Sequence, residues 1–349
     1  MQPRKPITII GGGLAGLALG IGLRQRDVPV VIWEAGHYPR HRVCGEFISG
    51  NGQGVLERLG MLTRCHAAGA ISARTAMFVV GGTRSPVRQL GAPALCVSRH
   101  VLDALLAESF QQLGGELRVN SRWTAAAGAE GVVHASGRHA RAPGKAARWF
   151  GVKAHVPRHY PMHLEADLEM HISPEGYIGV NRIGGGEVNV CGLFRLREES
   201  HRPESKQDWL RGENGSLLGE RLRGTEFDPA SFCSVAGLQL KPQRASTQRE
   251  CRIGDALTMT PPVTGNGMSM ALESAEFAVE PLAAYSDGRL DWTAARRQIA
   301  RRCDAAFSTR LAWARGLQWM MISSALQGRL GSLLLRSEWL WRLMFMRTR

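Results

Sequence analysis

The sequence lacks the marks of several classes of protein. Its seven cysteines contain no CxxC pair, which argues against a disulfide framework and a zinc site and favours a reducing cytoplasm. We therefore expect no bound metal ion. No stretch of about 18 uninterrupted apolar residues occurs, so no membrane-spanning helix is predicted. Glycine is frequent, at 41 of 349 residues, but it has no G-X-Y period, which excludes collagen.

The composition is that of a globular protein with an uneven charge. The chain is 44% hydrophobic and 21% charged, and its length suits two domains. Of the formal charge of +14, residues 296–349 carry a net +9, from eleven arginines and two acidic residues. The same segment contains Trp313, Trp319, Trp339 and Trp341. Since no nucleic-acid-binding motif accompanies it, we expect contact with an anionic surface rather than with nucleic acid.

A glycine-rich turn lies close to the N-terminus. Residues 7–10 predict a buried strand that ends at Gly11-x-Gly13-x-x-Gly16, a helix follows, and the next strand ends at Glu34. In this order the glycines allow a tight turn, close approach to a pyrophosphate and close helix packing, while the acid accepts the ribose hydroxyls. The turn therefore predicts an adenine dinucleotide, FAD or NAD. The predicted contact residues here are Gly11, Gly13, Leu14, Ala15, Gly16, Glu34 and Ala35.

A second pair of motifs lies far downstream. Arg252-Ile253-Gly254-Asp255-Ala256 is followed by Pro261-Pro262-x-x-Gly265-Asn266-Gly267-Met268 and a predicted helix. Here the chain resembles the FAD-binding superfamily of aromatic hydroxylases, flavin-dependent halogenases and geranylgeranyl reductases. The resemblance implies that Asp255 binds the ribityl chain and that a helix N-terminus stabilises negative charge at the flavin pyrimidine edge. FAD is thus the predicted cofactor, and its predicted contacts here are Gly254, Asp255, Pro262, Gly265, Asn266, Gly267 and Met268.

Two intermediate stretches extend the resemblance. The stretch Ser98–Leu106 resembles the superfamily helix whose leading basic or amide residue touches FAD, although Arg99 is equally consistent with a surface arginine. The stretch Pro39–Phe47 resembles the geranylgeranyl reductases and halogenases, which implies a course near the isoalloxazine. The further predicted FAD contacts are Arg42, Cys44, Gly45 and Arg99. No catalytic acid or base is identified; the candidates for lining the flavin or substrate pocket are Cys44, Glu46 and Tyr177.

The chain also departs from the superfamily. The usual Asp-Gly motif reads Ala135-Ser136-Gly137-Arg138 here, which leaves open how NADPH or NADH, the expected electron donors, would reduce the flavin. The aromatic stretch of the reductases, Y-x-W-x-F-P, reads Gly176-Tyr177-Ile178-Gly179 and has lost its tryptophan. Halogenation is disfavoured because Trp339-Leu340-Trp341 does not complete the family's W-x-W-x-I-P segment and residues 40–50 contain no lysine.

The predicted fold class is α/β: a Rossmann-like FAD-binding domain, an interleaved β-sheet substrate domain and C-terminal helices. The predicted FAD-binding domain comprises residues 1–75, 93–144 and 245–290. The predicted substrate domain comprises 76–92 and 145–244, and basic amphipathic helices follow over 291–349. Four histidines of the substrate domain do not have the spacing of a metal site and are predicted to be surface or half-buried residues: His155, His159, His163 and His171.

The end of the chain has two interpretations. Apolar residues recur there mostly at helical spacing, with arginines among them: Leu326, Arg329, Leu330, Leu333, Leu334, Arg336, Leu340, Trp341, Arg342, Met344 and Phe345. Such a helix either packs on the protein's own core or lies on a lipid surface, where residues 318–349 would give a cytoplasmic protein a peripheral membrane contact.

The predicted function is that of an FAD-dependent oxidoreductase. We favour a monooxygenase that hydroxylates a lipophilic aromatic or polyketide-type substrate, because the aromatic stretch of the reductases is incomplete. The alternative is a reductase of C=C bonds in isoprenoid-type substrates, which the Cys-Gly-Glu loop favours. A flavin-binding or membrane-associated partner without turnover is a further alternative, motivated by the missing acid at Ser136. The sequence leaves the oligomeric state open.

Overall fold

A parallel sheet forms around the first predicted strand. The computed structural model describes residues 3–124, 128–138, 149–196, 205–238, 240–322 and 335–348. Its parallel sheet has five strands in the order β14-β8-β1-β2-β7. They are β1 (Ile7–Ile10), β2 (Val30–Trp33), β7 (Glu116–Arg118), β8 (Val132–His134) and β14 (Cys251–Arg252). Because all of them run parallel, their carboxyl ends meet at one edge, where nucleotides bind in such sheets.

Helices pack on the parallel sheet and on one another. They are α1 (Leu14–Arg24), α2 (Gly52–Arg58), α3 (Leu62–Ala67), α4 (Arg99–Gln112) and α6 (Gly267–Ser286). Every residue of α1 except Arg24 is buried, because α1 packs between the sheet and both α4 and α6. An apolar surface around the whole helix is what such a central position requires.

The second sheet has nine strands. Its order is β13-β9-β12-β11-β10-β4-β6-β3, with β5 paired to β4. These strands are β3 (Phe47–Ile48), β4 (Ile71–Val80), β5 (Thr83–Arg84), β6 (Arg88–Cys96), β9 (Trp149–Val156), β10 (Leu168–Ser173), β11 (Gly176–Arg182), β12 (Val188–Arg195) and β13 (Asp228–Ala236). A short helix, α5 (Leu217–Arg221), precedes β13. The pairing is antiparallel except between β4 and β10.

The predicted fold class is confirmed, since the strands of the two sheets alternate along the chain. The apolar runs 76–80 and 87–90, joined by Gly81-Gly82, predict a hairpin. The strands β4 and β6 are longer than this hairpin, so the predicted domain boundaries after residues 75 and 92 fall inside them. That prediction placed the strands from apolar residues alone, whereas β4 begins with two exposed residues and three consecutive residues of β6 are exposed. The boundary between 144 and 145 lies outside the described residues.

The C-terminal part contains two described helices. Helix α7 (Trp292–Ile322) packs on α6, and α8 (Glu338–Arg347) packs on α7. The single helix that the spacing of apolar residues predicts at the end of the chain is interrupted at Ser337. This residue is the N-cap of α8, and its hydroxyl accepts a hydrogen bond from Leu340 N–H. The predicted apolar positions Leu326, Leu330, Leu333 and Leu334, together with Arg329, lie outside the described residues. No helix in the described ranges is long and apolar enough to cross a membrane.

Candidate functional site

The glycine turn after β1 forms a cradle at the N-terminus of α1. Gly11 has φ +103°, and a Cβ added there would lie 2.5 Å from the Ala135 carbonyl oxygen. A Cβ at Gly16 would overlap the Gly11 carbonyl oxygen. At Gly13, by contrast, the nearest neighbouring atom would be Arg42 Nη2 at 4.0 Å. Gly13 is also the N-cap of α1, so the first N–H groups of this helix face open space, as an anion site requires.

Glu34 closes this cradle. Its carboxylate accepts hydrogen bonds from Gly12 N–H at 2.9 Å and Gly36 N–H at 2.7 Å, and it pairs with Arg40 at 2.7 Å. Burial alone would raise the pKa of this carboxyl, but the Gly36 N–H group and the charge of Arg40 outweigh burial and hold the pKa below its ordinary value. Glu34 is therefore an ionised acceptor fixed beside the glycine turn, which suits binding of ribose hydroxyls.

A second helix N-terminus faces the same space. Asn266 is the N-cap of α6, its side chain is buried, and its Nδ2 has no hydrogen-bond partner among the described residues. A Cβ on Gly267 would meet no described atom within 4 Å. Gly265 has φ +66°, and a Cβ there would overlap the Phe47 ring. The turn thus brings the free backbone N–H groups of α6 and the side-chain amide nitrogen of Asn266 to an open site.

Between the two helix N-termini lies a cavity of about 590 Å³, which we call the cofactor cavity. Most of the predicted FAD contacts line it: Gly11, Gly13, Leu14, Ala15, Glu34, Ala35, Arg42, Cys44, Arg99, Asp255, Gly267 and Met268. The other predicted contacts, Gly16, Gly45, Gly254, Pro262, Gly265 and Asn266, belong to the turns that shape it or to the neighbouring cavity. The open cradles, the free N–H groups and the acids at both ends fit FAD.

Sequence reasoning missed several residues of this cavity. Arg138 donates a hydrogen bond to Asp255 at 3.1 Å and another to the Val43 carbonyl oxygen, so a cation bridges the cavity beside the predicted ribityl-binding acid. At the other end, Trp33 and Trp123 line the cavity with ring centroids 5.3 Å apart, a surface on which an adenine could stack. Trp33 and Trp123 lie far apart along the chain, so no local motif could have identified them as a pair.

Arg99 and Arg42 share a buried carboxylate. Arg99 donates two hydrogen bonds to Asp103, at 2.7 and 2.8 Å, and Arg42 lies 3.3 Å from the same carboxylate. Asp103 has no solvent exposure. The pair thus fixes both guanidinium groups at the wall of the cofactor cavity, which agrees with a phosphate contact better than with a free surface arginine.

A second cavity lies against the nine-stranded sheet. This apolar cavity has a volume of about 180 Å³ and is bounded by Gly45, Phe47, Met170, Gly179 and Gly265, among other residues. The inner face of α8 covers it. On that face Trp341 packs edge-on against Phe78, with ring centroids 5.4 Å apart, and Met344, Phe345 and Thr348 also line the cavity.

The segment 44–47 is the wall between the cavities. Cys44 lines the cofactor cavity, while Gly45 and Phe47 line the apolar one. Glu46 has φ +55°, a conformation that few non-glycine residues adopt, and its side chain is fully buried. Its carboxylate contacts His155 at 2.7 Å and Lys153 at 3.3 Å. The candidate Glu46 therefore points away from both cavities into a charged cluster.

Two thiols, those of Cys44 and Cys233, line the cofactor cavity. A third, that of Cys191, lies on β12 opposite Lys153 of β9. Burial raises the pKa of Cys44 and of Cys191, and it raises the pKa of Cys233 to about 11. All three are therefore neutral thiols near neutral pH.

The remaining candidates do not converge. Tyr177 is buried among Ile172, Leu193 and other apolar side chains and lines neither cavity. His155 and His171 lie on β9 and β10, which are separated by two strands, and each is buried against its own carboxylate. The prediction of surface or half-buried positions is thus wrong for these two histidines, because ion pairing within the sheet allows their burial.

Comparison with known proteins supports the fold. Monooxygenase 1 of Arabidopsis thaliana is 30% identical over 117 residues, which is 33% of this chain and 29% of that protein. The flavin-dependent brominase Bmp2 superposes with a TM-score of 0.74 at 18% identity, over 99% of this chain and 95% of that one. PqsL, a probable FAD-dependent monooxygenase from Pseudomonas aeruginosa, superposes with a TM-score of 0.71 at 16% identity, over 94% of this chain and 100% of that one. No protein-family model matches.

The chain therefore has the fold shared by FAD-dependent monooxygenases and halogenases. It spans under a third of the length of the curated relative that it matches. The predicted likeness to the geranylgeranyl reductase branch is not supported by these comparisons.

Proposed function

We propose that the protein is an FAD-dependent monooxygenase that hydroxylates a lipophilic aromatic or polyketide-type substrate. The observation that carries this proposal is the pair of cavities on either side of the wall 44–47. One is lined by charged groups and helix N-termini, and the other by methionine and aromatic side chains. Such a pair suits a charged dinucleotide whose reactive ring lies next to an apolar substrate.

The chain's own residues would bind, orient and exclude water. The N-terminus of α1 would bind the pyrophosphate, Glu34 the adenosine ribose and Asp255 the ribityl chain. The N-terminus of α6, at Gly267, would favour negative charge on the pyrimidine edge of the ring. FAD, when bound, supplies the redox and oxygen chemistry. The cover formed by Trp341 on α8 would keep water from the apolar cavity.

We propose NADPH or NADH as the electron donor. The superfamily resemblance supports this choice, while Ser136 stands where the related enzymes have an acid. Arg138, which follows two residues later and lines the cofactor cavity, offers a cation that could bind a phosphate of the donor or of FAD.

The proposal is tested by three measurements on the purified protein. The visible spectrum reports whether FAD is bound, and an anaerobic titration with NADPH and NADH reports whether bound flavin is reduced. Oxygen consumption with phenols and polyketide-type aromatics, followed by mass spectrometry, then tests for a product heavier by one oxygen atom. A colourless protein that does not take up FAD would overturn the whole proposal.

Other chemistries are outcomes of the same assay. Addition of two hydrogen atoms to a polyprenyl compound without oxygen would show C=C reduction, which the comparisons do not favour. A bromide- or chloride-dependent product would show halogenation. The brominase similarity supports including this arm, and the fully buried Lys153 places a lysine 3.0 Å from His41 at the cofactor cavity. Bound FAD that is never reduced would favour a partner without turnover.

We also propose that the outer face of the C-terminal helices contacts an anionic membrane surface. On α8, Trp339, Arg342 and Met346 form one exposed helical stripe, and Trp339 is 72% exposed. On α7, Arg315 and Trp319 are exposed one turn apart. Exposed tryptophans beside arginines suit the boundary of a bilayer with acidic headgroups.

This surface would connect the membrane with the apolar cavity, because the inner face of α8 covers that cavity. A lipophilic substrate could then pass from the lipid to the cavity without crossing water. We propose a cytoplasmic location for the protein, supported by its seven unpaired cysteines, all of which lie within the described residues.

A further inference from the structure

A chain of buried ionisable groups leads from the cofactor cavity to the protein surface. His41 lines the cavity, and its Nδ1 lies 3.0 Å from Lys153 Nζ. Lys153 lies 3.3 Å from Glu46, and Glu46 lies 2.7 Å from His155 Nε2. The other ring nitrogen, His155 Nδ1, lies 3.1 Å from Glu187. Each link is within the range of a hydrogen bond or an ion pair.

The burial of the groups changes along the chain. The side chains of Lys153 and Glu46 have no exposure, and His155 is 1% exposed. Glu187 at the far end is 40% exposed. A buried ion pair costs free energy and contributes little net stability, so a chain of them that opens to solvent at one end needs another explanation.

The imidazole of His155 is the element that favours proton transfer. Each ring nitrogen faces a different carboxylate, one buried and one in contact with water. A proton gained at Nδ1 from Glu187 can therefore be matched by one released at Nε2 to Glu46, without movement of the ring. A histidine that only neutralised Glu46 would need no second carboxylate.

The inner groups Glu46 and His41 rest in their deprotonated forms, so each has an empty position for a passing proton. Burial would raise the pKa of Glu46, but the hydrogen bond from His155 and the charge of Lys153 outweigh burial and lower it, so Glu46 rests as a carboxylate. Burial, together with the charge of Lys153, lowers the pKa of His41 to about 4, so its ring rests neutral. The groups that face this chain are His100, stacked on His41 at 4.5 Å, and the backbone N–H of Arg99, which donates to Glu46.

We propose that Glu187, His155, Glu46, Lys153 and His41 form a proton relay that supplies protons from solvent to the cofactor cavity. The inference rests on the proposed function. Hydroxylation with a nicotinamide donor consumes one substrate, one NAD(P)H, one O2 and one proton. One oxygen atom forms the new C–O bond, the other leaves as water, and the nicotinamide is oxidised by two electrons. The relay would deliver the proton, each step breaking one N–H or O–H bond and forming another.

His41, Glu46 and His155 have ligand atoms within 4.8 Å of one another and could therefore surround a metal ion. The ammonium group of Lys153, 3.0 Å from His41 and 3.3 Å from Glu46, makes a second cation there unfavourable. The relay therefore predicts that addition of Zn²⁺ leaves the thermal unfolding temperature unchanged, whereas a stabilised protein would point to a metal site instead.

The relay can be measured without substrate or turnover. Bound FAD serves as the probe, because its N3–H ionises in alkaline solution and its visible spectrum then changes. The protein with bound FAD is mixed rapidly with alkaline buffer, and the rate of the spectral change is recorded. We expect His155→Gln to slow this change by about 100-fold and Glu187→Gln, at the exposed end where water can substitute, to slow it by less.

His171→Gln is the matched control. His171 is also buried on the large sheet and paired with a carboxylate, Glu169, but it is not connected to the cofactor cavity. The spectral change of the His171→Gln variant should therefore be as fast as that of the unmodified protein. If His155→Gln and Glu187→Gln both bind FAD and exchange at the unmodified rate, the relay is wrong and the flavoprotein proposal stands. If the unmodified protein takes up no FAD, both proposals fail.

Discussion

The cofactor cavity and the apolar cavity share one wall but are built in opposite ways. The cofactor cavity takes most of its lining from the segments at the carboxyl ends of the parallel strands β1, β2, β7 and β8, so a few contiguous stretches shape it. The apolar cavity takes single side chains from many strands and closes them with α8. A charged cofactor needs backbone N–H groups at fixed positions, whereas an apolar substrate needs only volume and exclusion of water.

The difference also concerns what each cavity tolerates. Glycine backbone lines the first cavity at both helix N-termini, so a small side chain added there should interfere with binding of the cofactor. Side chains line the apolar cavity, so substitution of single side chains there should change the substrate specificity gradually. The predictions below test this contrast, beginning with the largest expected effect.

Gly13→Asp should greatly weaken binding of FAD without unfolding the protein. The position has room for a side chain, and an acid at a helix N-terminus is compatible with the helix. A carboxylate there would repel the pyrophosphate, and like charges at close range cost several kcal/mol, so we expect affinity to fall by at least about 100-fold. Fluorescence titration with FAD measures this loss.

The control for that variant is Ser216→Asp. Ser216 is the N-cap of α5, so the substitution adds the same charge to a helix that does not line the cofactor cavity. Unchanged FAD affinity is expected. Retention of normal FAD affinity by Gly13→Asp would mean that the cofactor does not use the α1 cradle.

Glu169→Gln should reduce stability at neutral pH by about 3 kcal/mol. Glu169 borders the apolar cavity but pairs with His171 at 3.0 Å and Arg221 at 2.6 Å. Burial would raise its pKa, yet these partners outweigh burial and lower it. The stabilisation is therefore complete above the ordinary pKa of glutamate and is lost as the pH falls through the lower pKa of the folded state.

Denaturant unfolding between pH 3 and 8 measures this effect. The unmodified protein should lose stability on the acid side, and Glu169→Gln should show a flatter curve that approaches the unmodified one at low pH. Parallel curves at every pH would show that Glu169 contributes through packing rather than through its charge.

Gly179→Val should weaken binding of the substrate and leave binding of FAD unchanged. Gly179 lines the apolar cavity, and a Cβ there would meet only the Cys191 carbonyl oxygen, at an ordinary 3.7 Å. Valine suits a strand, but its methyl groups take up part of the cavity volume, and overpacking costs about 1–3 kcal/mol. Steady-state kinetics should show a KM about tenfold higher for bulky substrates; a lower FAD affinity instead would place the cofactor in this cavity.

Trp339→Ser should have the smallest effect. Loss of an exposed ring removes about 1 kcal/mol from association with anionic vesicles, or about fivefold in partitioning. Flotation with phosphatidylglycerol vesicles measures the change, and Val119→Ser, another exposed apolar residue on the nucleotide-binding half, is the control. Equal flotation of both variants and the unmodified protein would remove the membrane role of α8.

The sequence predicted the nucleotide-binding half well because its signals are local. Gly11, Gly13 and Gly16 have fixed spacing, and Glu34 ends the next strand, so the order of strand, turn, helix and strand could be predicted from the first forty residues. The strands of the large sheet were found where apolar residues concentrate, but exposed residues of β4 and β6 concealed their full lengths. Register between distant strands is a tertiary property that no local pattern encodes.

The site was predictable only where it consists of motifs. Trp123 and Arg138 reach the cofactor cavity from separate parts of the chain. No motif surrounds Trp123, and Arg138 follows the altered Asp-Gly motif, where the missing acid gave no reason to predict a cation. Glu46 was selected as a residue close to the flavin, but its partners His155 and Lys153 come from β9, more than a hundred residues away. Their pairing depends on how the nine-stranded sheet brings β9, near one end of its strand order, against the residue before β3, at the other end.

The neutral thiols around the cofactor cavity bear on the durability of the protein. Oxidants attack the thiolate far faster than the thiol, so a cysteine whose pKa is raised resists conversion to sulfenic acid. Cys44 and Cys233 line the cavity where the proposed reaction would bring reduced flavin and oxygen together, a combination that releases hydrogen peroxide whenever substrate is missing. If the proposed reaction takes place, burial of these sulfur atoms in their protonated form would slow their oxidation by that peroxide.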